Sequence, residues 1–124
     1  RPAESNTIVL LGGSIQMEPM VTVGPLTVEA ASKFYVDKFF TGTDGITPKG
    51  DFTAQNLEMA NVISMMASRA RHTIVMTDSS KFSRQGTVCI FPIRDAYAVY
   101  TDSQCPAEII ELFKKNEVIV SMGE

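Results

Sequence analysis

The chain has 124 residues, of which 44% are hydrophobic and 20% are charged. These values match soluble globular proteins with one hydrophobic core and exclude collagen-like, coiled-coil and disordered classes. The net charge of −3 gives no positive field that would attract nucleic-acid phosphates, which argues against DNA binding by this chain itself. We expect one domain over residues 1–124, and a start at Arg1 without methionine suggests a truncated piece of a longer protein.

The cysteines and apolar runs constrain the type of protein further. Cys89 and Cys105 are too few for a disulfide framework and do not have zinc-ligand spacing. The longest apolar runs are far shorter than the roughly 18 residues that span a bilayer, and no signal-peptide pattern is present. We therefore expect a cytoplasmic protein that contacts no membrane and holds no metal or cofactor.

In the first half of the chain, the apolar run 7–11 predicts a strand buried on both faces, and Gly12 and Gly13 end it. Pro25 suits the first turn of a helix over residues 26–35. Residues 38–43 predict the next strand, and 46–55, with proline and glycine and no apolar period, predict a surface loop.

In the second half, Asn56 is a suitable N-cap for a helix over 57–70 with a wide apolar stripe. Pro106 opens another helix that extends to residue 116. Strands are predicted at 72–77, 96–100 and 117–121, and residues 87–91 form either a short strand or an irregular packed segment. Strands that alternate with helices favour an α/β fold: a Rossmann-like open sheet, mostly parallel, with helices on both faces.

Three polar loops are expected at the carboxyl edge of this sheet, where open α/β sheets bind ligands. They are Gly12-Gly13-Ser14, Asp44-Gly45 and Asp78-Ser79-Ser80-Lys81. Glycine amides, serine hydroxyls and one lysine suit a phosphate ester, and the aspartates could accept hydrogen bonds from sugar hydroxyls. The tips after Leu11, Thr43 and Thr77 should therefore meet at one mouth.

Each loop also has a simpler interpretation. Two glycines after a strand are more often a plain turn, Asp78 could merely cap the turn that starts at Ser79, and Lys81 could be a solvated surface lysine. The lone His72 has no acidic or nucleophilic neighbour in sequence, so a structural role is favoured. No dinucleotide, Walker-type, nucleophile-elbow or zinc-protease motif is present, and we predict no catalytic residue.

The sequence also resembles a known family. In order and spacing, the chain contains the strings LGG (11–13), VGPL (23–26), DKFFTGTDGI (37–46), TDSSKF (77–82) and YTD (100–102). These look like the effector-binding domain of DeoR-family bacterial transcription regulators, over nearly the whole chain. The resemblance implies a repressor of sugar or polyol metabolism whose sensor domain, similar in fold to ribose-5-phosphate isomerase, binds a phosphorylated sugar.

The resemblance also implies residue roles. Gly12 and Gly13 would approach the effector through their backbone, Asp44 and Gly45 would match the acidic loop of the isomerase relatives, and Lys81 would match the family lysine. Glu58 would match a further acidic position. This sequence places Ile63 where family members commonly have a lysine.

The parts of such a regulator before Arg1 would include the helix-turn-helix and the first β-α unit of the sensor, so DNA would be bound only through that preceding domain. A sheet without its first β-α unit exposes an edge and an apolar face, and we therefore expect a homo-oligomer. Two alternatives remain open. One is an isomerase-like enzyme with Asp44 as base and Lys81 as electrostatic partner. The other is a degenerate sensor that only oligomerises.

Overall fold

The computed structural model describes residue 7, residues 9–17 and residues 20–123. Three α-helices and nine strands occupy these ranges, with two short 3₁₀ helices, Ser79–Ser83 and Ile93–Asp95. In chain order, the elements are β1 (Ser14–Met17), β2 (Met20–Val23), α1 (Pro25–Ala31), β3 (Val36–Thr41), β4 (Gly45–Ile46), β5 (Asp51–Ala54), α2 (Leu57–Arg69), β6 (Ala70–Met76), β7 (Val88–Pro92), β8 (Ala98–Asp102), α3 (Ala107–Lys115) and β9 (Ile119–Gly123).

The main sheet has four parallel strands in the order β3-β6-β8-β9. Each new strand is added on the same side of the previous one, and right-handed crossovers then put every connecting segment on one face of the sheet. Helix α2 connects β3 to β6, and α3 connects β8 to β9. This arrangement confirms the predicted α/β class with a mostly parallel sheet.

A hydrophobic core fills the space between this face and the elements that cover it. Helices α2 and α3 share the covering layer with a small antiparallel sheet of order β4-β5-β7. The ring of Phe52 on β5 is fully buried, 6.1 Å from the ring of Phe113 on α3 and 5.5 Å from that of Phe91 on β7. Buried aromatic rings of this kind contribute most of the packing energy of a small core.

The second sheet corrects the prediction of a surface loop over residues 46–55. Residues 47–50 form a tight turn, closed by a 3.0 Å hydrogen bond from the Gly50 N–H to the Thr47 carbonyl. The chain then returns as β5, whose last three residues are all buried. Pro48 and Gly50 were correct turn signals, but β5 has only four residues and is too short for its pattern to be recognised. Residues 87–91, left open between strand and irregular segment, form β7 in this sheet.

The opposite face of the main sheet carries no helix within the described ranges. The strand register places Phe40, Met76, Tyr100 and Ile119 on this face, and all four are exposed. Helices were expected on both faces, whereas α2 and α3 both cover the same one. Among the described residues, no helix is both long and apolar enough to cross a membrane.

The predicted strand at 7–11 is wrong over the residues that can be judged. Residues 9–12 have no regular structure, and Leu10 is 88% exposed; Ile8 lies outside the described residues. The first strands form the hairpin β1–β2 instead. A short apolar run becomes a strand only where a neighbouring strand offers hydrogen bonds, and no described strand lies beside this one.

The predicted helices form close to their expected bounds. Pro25 opens α1, and the Asn56 side chain caps α2 by accepting a 2.8 Å hydrogen bond from the Met59 N–H. Helix α1 ends at Ala31, four residues earlier than expected, and Tyr35 is exposed beyond it. Helix α3 follows Pro106 as predicted.

Candidate functional site

A cavity of about 690 Å³ lies beside the carboxyl end of β3, between that strand and α2. Leu11, Thr43 and Thr77, the residues that directly precede the three predicted loops, all line it. Thr43 and Thr77 meet there because they follow β3 and β6, which are adjacent parallel strands. Leu11 approaches from the irregular segment before β1.

Among the described residues that line the cavity, Asp44 and Lys81 are charged, and their side chains form an ion pair. The Lys81 Nζ lies 3.9 Å from Asp44 Oδ1, and the two side chains are 31% and 40% exposed. The other carboxylate oxygen of Asp44 accepts a 2.8 Å hydrogen bond from the Gln55 N–H. An exposed pair at this distance contributes about 0–1 kcal/mol to stability. Its main effect is to hold an ammonium group at the mouth of the cavity.

The serines before Lys81 are already hydrogen-bonded within the protein. The N–H and the hydroxyl of Ser80 both donate to Asp78 Oδ1. The N–H and the hydroxyl of Ser79 donate to Asp102, at 2.8 and 2.7 Å. Asp78 therefore caps the 3₁₀ helix Ser79–Ser83, which was the simpler of its two interpretations. Lys81 is the member of this loop that lines the cavity.

Asp102 at the end of β8 was not among the predicted site residues. Besides the two donors of Ser79, its carboxylate accepts a 2.9 Å hydrogen bond from the Gln104 N–H. The Ser79 N–H, the Ser79 hydroxyl and the Gln104 N–H together lower the pKa of Asp102 below its ordinary value. Its position in the sequence could have identified it. Asp102 ends β8 and Asp78 follows β6, and these neighbouring parallel strands end at the same edge of the sheet.

Gly45 is required by packing. A Cβ atom at this position would lie 2.4 Å from the Arg84 carbonyl oxygen, so only glycine lets the two backbone segments approach this closely. The Thr43 hydroxyl donates to the carbonyls of Gly45 and Thr53, at 2.8 and 2.9 Å. The buried Gly45 thus supports the loop that carries Asp44 and does not line the cavity.

The double glycine forms a turn packed against α1. Gly13 has φ +140°, and a Cβ there would lie 1.8 Å from the Thr27 hydroxyl oxygen. That hydroxyl donates a 2.7 Å hydrogen bond to the Gly12 carbonyl. Gly12 and Gly13 lie next to Leu11 in the chain, but neither they nor Ser14 lines the cavity.

The predicted acidic partner Glu58 does not line the main cavity. It lines a separate cavity of about 610 Å³ with Gly24, Pro25 and Leu57. The next residue, Met59, points into the main cavity, because adjacent helical residues are about 100° apart around the axis. The α2 wall of the main cavity is therefore apolar and consists of Met59, Val62, Ile63 and Met66.

The described residues contain no group of three or more His, Cys, Asp or Glu side chains that could hold a metal ion. Burial raises the pKa of the Cys105 thiol, and the nearby Asp102 charge adds to this. Desolvation, with Asp51 beside it, likewise raises the pKa of Cys89. Neither thiol has the lowered pKa of a reactive nucleophile. The His72 ring stacks on Tyr97 at 3.9 Å, in keeping with a structural role.

Comparison with known proteins identifies relatives of the whole chain. A glycerol-3-phosphate regulon repressor of Escherichia coli (strain K12) is 25% identical over 115 residues, which cover 93% of this chain and 46% of the relative. A repressor with the same description from Haemophilus influenzae is 28% identical and covers 100% of the chain and 49% of its own length. A putative aga operon transcriptional repressor of Escherichia coli O157:H7 is 26% identical, covering 98% and 46%.

The chain thus spans about half the length of the curated relatives it matches. All three relatives are described as repressors. The family model for the DeoR C-terminal sensor domain matches residues 2–103, well over half of the chain. The chain therefore belongs to the DeoR family of transcription regulators and contains its C-terminal sensor domain.

Proposed function

We propose that this domain senses a phosphorylated sugar or polyol and thereby controls DNA binding by a transcriptional repressor of sugar metabolism. The observation that carries the proposal is the convergence of Leu11, Thr43, Thr77, Asp44 and Lys81 on one cavity. A lysine ammonium at the mouth suits a phosphate group, and the Asp44 carboxylate suits a hydroxyl of the polyol. The relatives named for a glycerol-3-phosphate regulon and an aga operon support this class of effector.

In this proposal, the effector changes the balance between two states of an intact, cytoplasmic and oligomeric regulator. A ligand can shift such a balance only by its difference in affinity for the two states. The site connects the segments after β3 and β6 with the loop between β5 and α2, since Asp44 joins Lys81 to Gln55. Phosphate binding at Lys81 would compete with the ion pair and so alter the contacts among these three segments.

The isomerase-like alternative would use Asp44, the carboxylate beside Lys81 in the cavity, as its general base. The match to a sensor-domain family and the repressor descriptions of the relatives support a regulator instead. The proposed activity is therefore regulation without turnover.

Isothermal titration calorimetry on the intact protein tests the proposal. The titrants are glycerol 3-phosphate, ribose 5-phosphate and fructose 1-phosphate, each paired with its unphosphorylated form. We expect heat with at least one phosphorylated member and none with its partner. Lys81→Met should weaken that binding on the order of tenfold or more, as loss of a charge-assisted hydrogen bond does. Lys33→Met, which changes an exposed lysine after α1, is the matched control and should bind normally.

Binding of the unphosphorylated sugars as tightly as their phosphates would contradict the proposal. So would normal binding by Lys81→Met. Formation of a ketose from ribose 5-phosphate, measured in the same preparations, would instead support the enzyme.

A further inference from the structure

The 3₁₀ helix that carries Lys81 is short and has little stability of its own. It has five residues, and its turns are closed by backbone hydrogen bonds of 3.3 Å, from Lys81 to Asp78, and 3.2 Å, from Arg84 to Lys81. Such i→i+3 bonds have poorer geometry than those of an α-helix. The position of the Lys81 ammonium therefore depends on what anchors the two ends of this segment.

One anchor is apolar. Phe82, directly after Lys81, is buried, with its ring 5.4 Å from the ring of Phe113 in the core. The other anchor is Asp102, which accepts both donors of Ser79, at the start of the segment. Lys81 lies between the two anchors. Asp102 comes from β8, 23 residues away, so it ties the segment to the main sheet, whereas the contacts of Asp78 are local to the turn.

We propose that Asp102 is a positioning residue that holds Lys81 at the mouth of the cavity by clamping Ser79 to the end of β8. This inference rests on the proposed function, because it assigns Asp102 an effect on effector binding. Asp102 does not line the main cavity. It acts through Ser79 and the backbone of the 3₁₀ helix.

The clamp requires a carboxylate. The Gln104 N–H and the Ser79 hydroxyl donate to Oδ1, while the Ser79 N–H donates to Oδ2, so both oxygens act as acceptors. Asparagine has one acceptor oxygen, and its NH₂ group would face either the Ser79 N–H or the other two donors. Asp102→Asn is therefore close to isosteric but breaks the clamp.

A double-mutant cycle on the intact protein tests the inference. Wild type, Asp102→Asn, Lys81→Met and the double variant are titrated with glycerol 3-phosphate, ribose 5-phosphate and fructose 1-phosphate. We expect Asp102→Asn to weaken binding on the order of tenfold, and the double variant to bind no more weakly than Lys81→Met alone. A residue with a merely structural role would lower affinity by the same factor in both backgrounds. Asp95→Asn, at an exposed carboxylate, is the control and should bind as wild type does.

Ser79→Ala provides a milder second variant, which keeps the Ser79 N–H bond and removes only the hydroxyl. It should weaken binding less than Asp102→Asn, and again only when Lys81 is present. Wild-type affinity in Asp102→Asn, or losses of affinity that multiply in the double variant, would overturn the inference. The proposed function would stand in that case, because the wild-type protein still binds a sugar phosphate. If wild type binds none of the three phosphates, the proposed function fails and this inference fails with it.

Discussion

Replacement of Gly45 by alanine should damage both the stability of the domain and the geometry of its site. The added Cβ would lie 2.4 Å from the Arg84 carbonyl oxygen, 2.7 Å from its carbon and 2.9 Å from Gln85 Cα. All three atoms belong to the backbone, so no side chain can rotate away. Overpacking of this kind costs about 1–3 kcal/mol. The strand β4 or the segment 84–86 must move to relieve it.

For a domain of this size, each kcal/mol lowers the melting temperature by about 3–5 °C, so Gly45→Ala should melt about 3–15 °C below wild type. Differential scanning calorimetry measures the shift. Gly12→Ala is the matched control, because a Cβ at Gly12 meets no atom within 4 Å. Equal melting temperatures for the two variants would refute the steric argument. Because Asp44 precedes Gly45, the same variant should also bind the effector more weakly.

Three further predictions concern the cap, the clamp and a thiol. Asn56→Ala removes the acceptor for the Met59 N–H and should lower the free energy of unfolding by about 1 kcal/mol in urea titrations; an unchanged midpoint would contradict the assigned cap. The pKa of Asp102 is lowered in the folded state, so its stabilising effect should be complete above the unfolded-state pKa and lost as pH falls through the folded-state pKa. The difference in unfolding free energy between wild type and Asp102→Asn should therefore vanish in strong acid. A constant difference from neutral pH to strong acid would refute this. Cys105 is buried with a raised pKa, so iodoacetamide should label it only after unfolding, and labelling of the native protein at neutral pH would contradict its placement.

The approach of Asp44 and Lys81 could be predicted from the sequence because it follows from the topology. Both residues lie just after strands of one parallel sheet, and neighbouring parallel strands end at the same edge. Apolar runs and polar stops are enough to locate such ends. The distance between the two side chains depends on the 3₁₀ helix after β6, and no pattern in the sequence revealed that helix.

Other parts of the fold depend on contacts between distant segments. The strand β5 is short, and its burial depends on contacts with distant segments, such as that of Phe52 with Phe113 in the last helix. The hydrogen-bond partners of Ser79 and Ser80 within the protein could not be predicted for a related reason. Serine after a strand can donate to a ligand or to the protein, and the choice for Ser79 was decided by Asp102, 23 residues further along the chain.

The clearest test of the central claim is to locate the bound effector with methionine methyl NMR on the intact protein. Met59 and Met66 line the main cavity, whereas Met65, between them in sequence, lines the separate cavity beside Glu58. Saturation with the sugar phosphate that binds most tightly in calorimetry should shift the methyl signals of Met59 and Met66 and leave that of Met65 in place. A shift of Met65 alone, or of none of the three, would contradict binding at the cavity of Asp44 and Lys81.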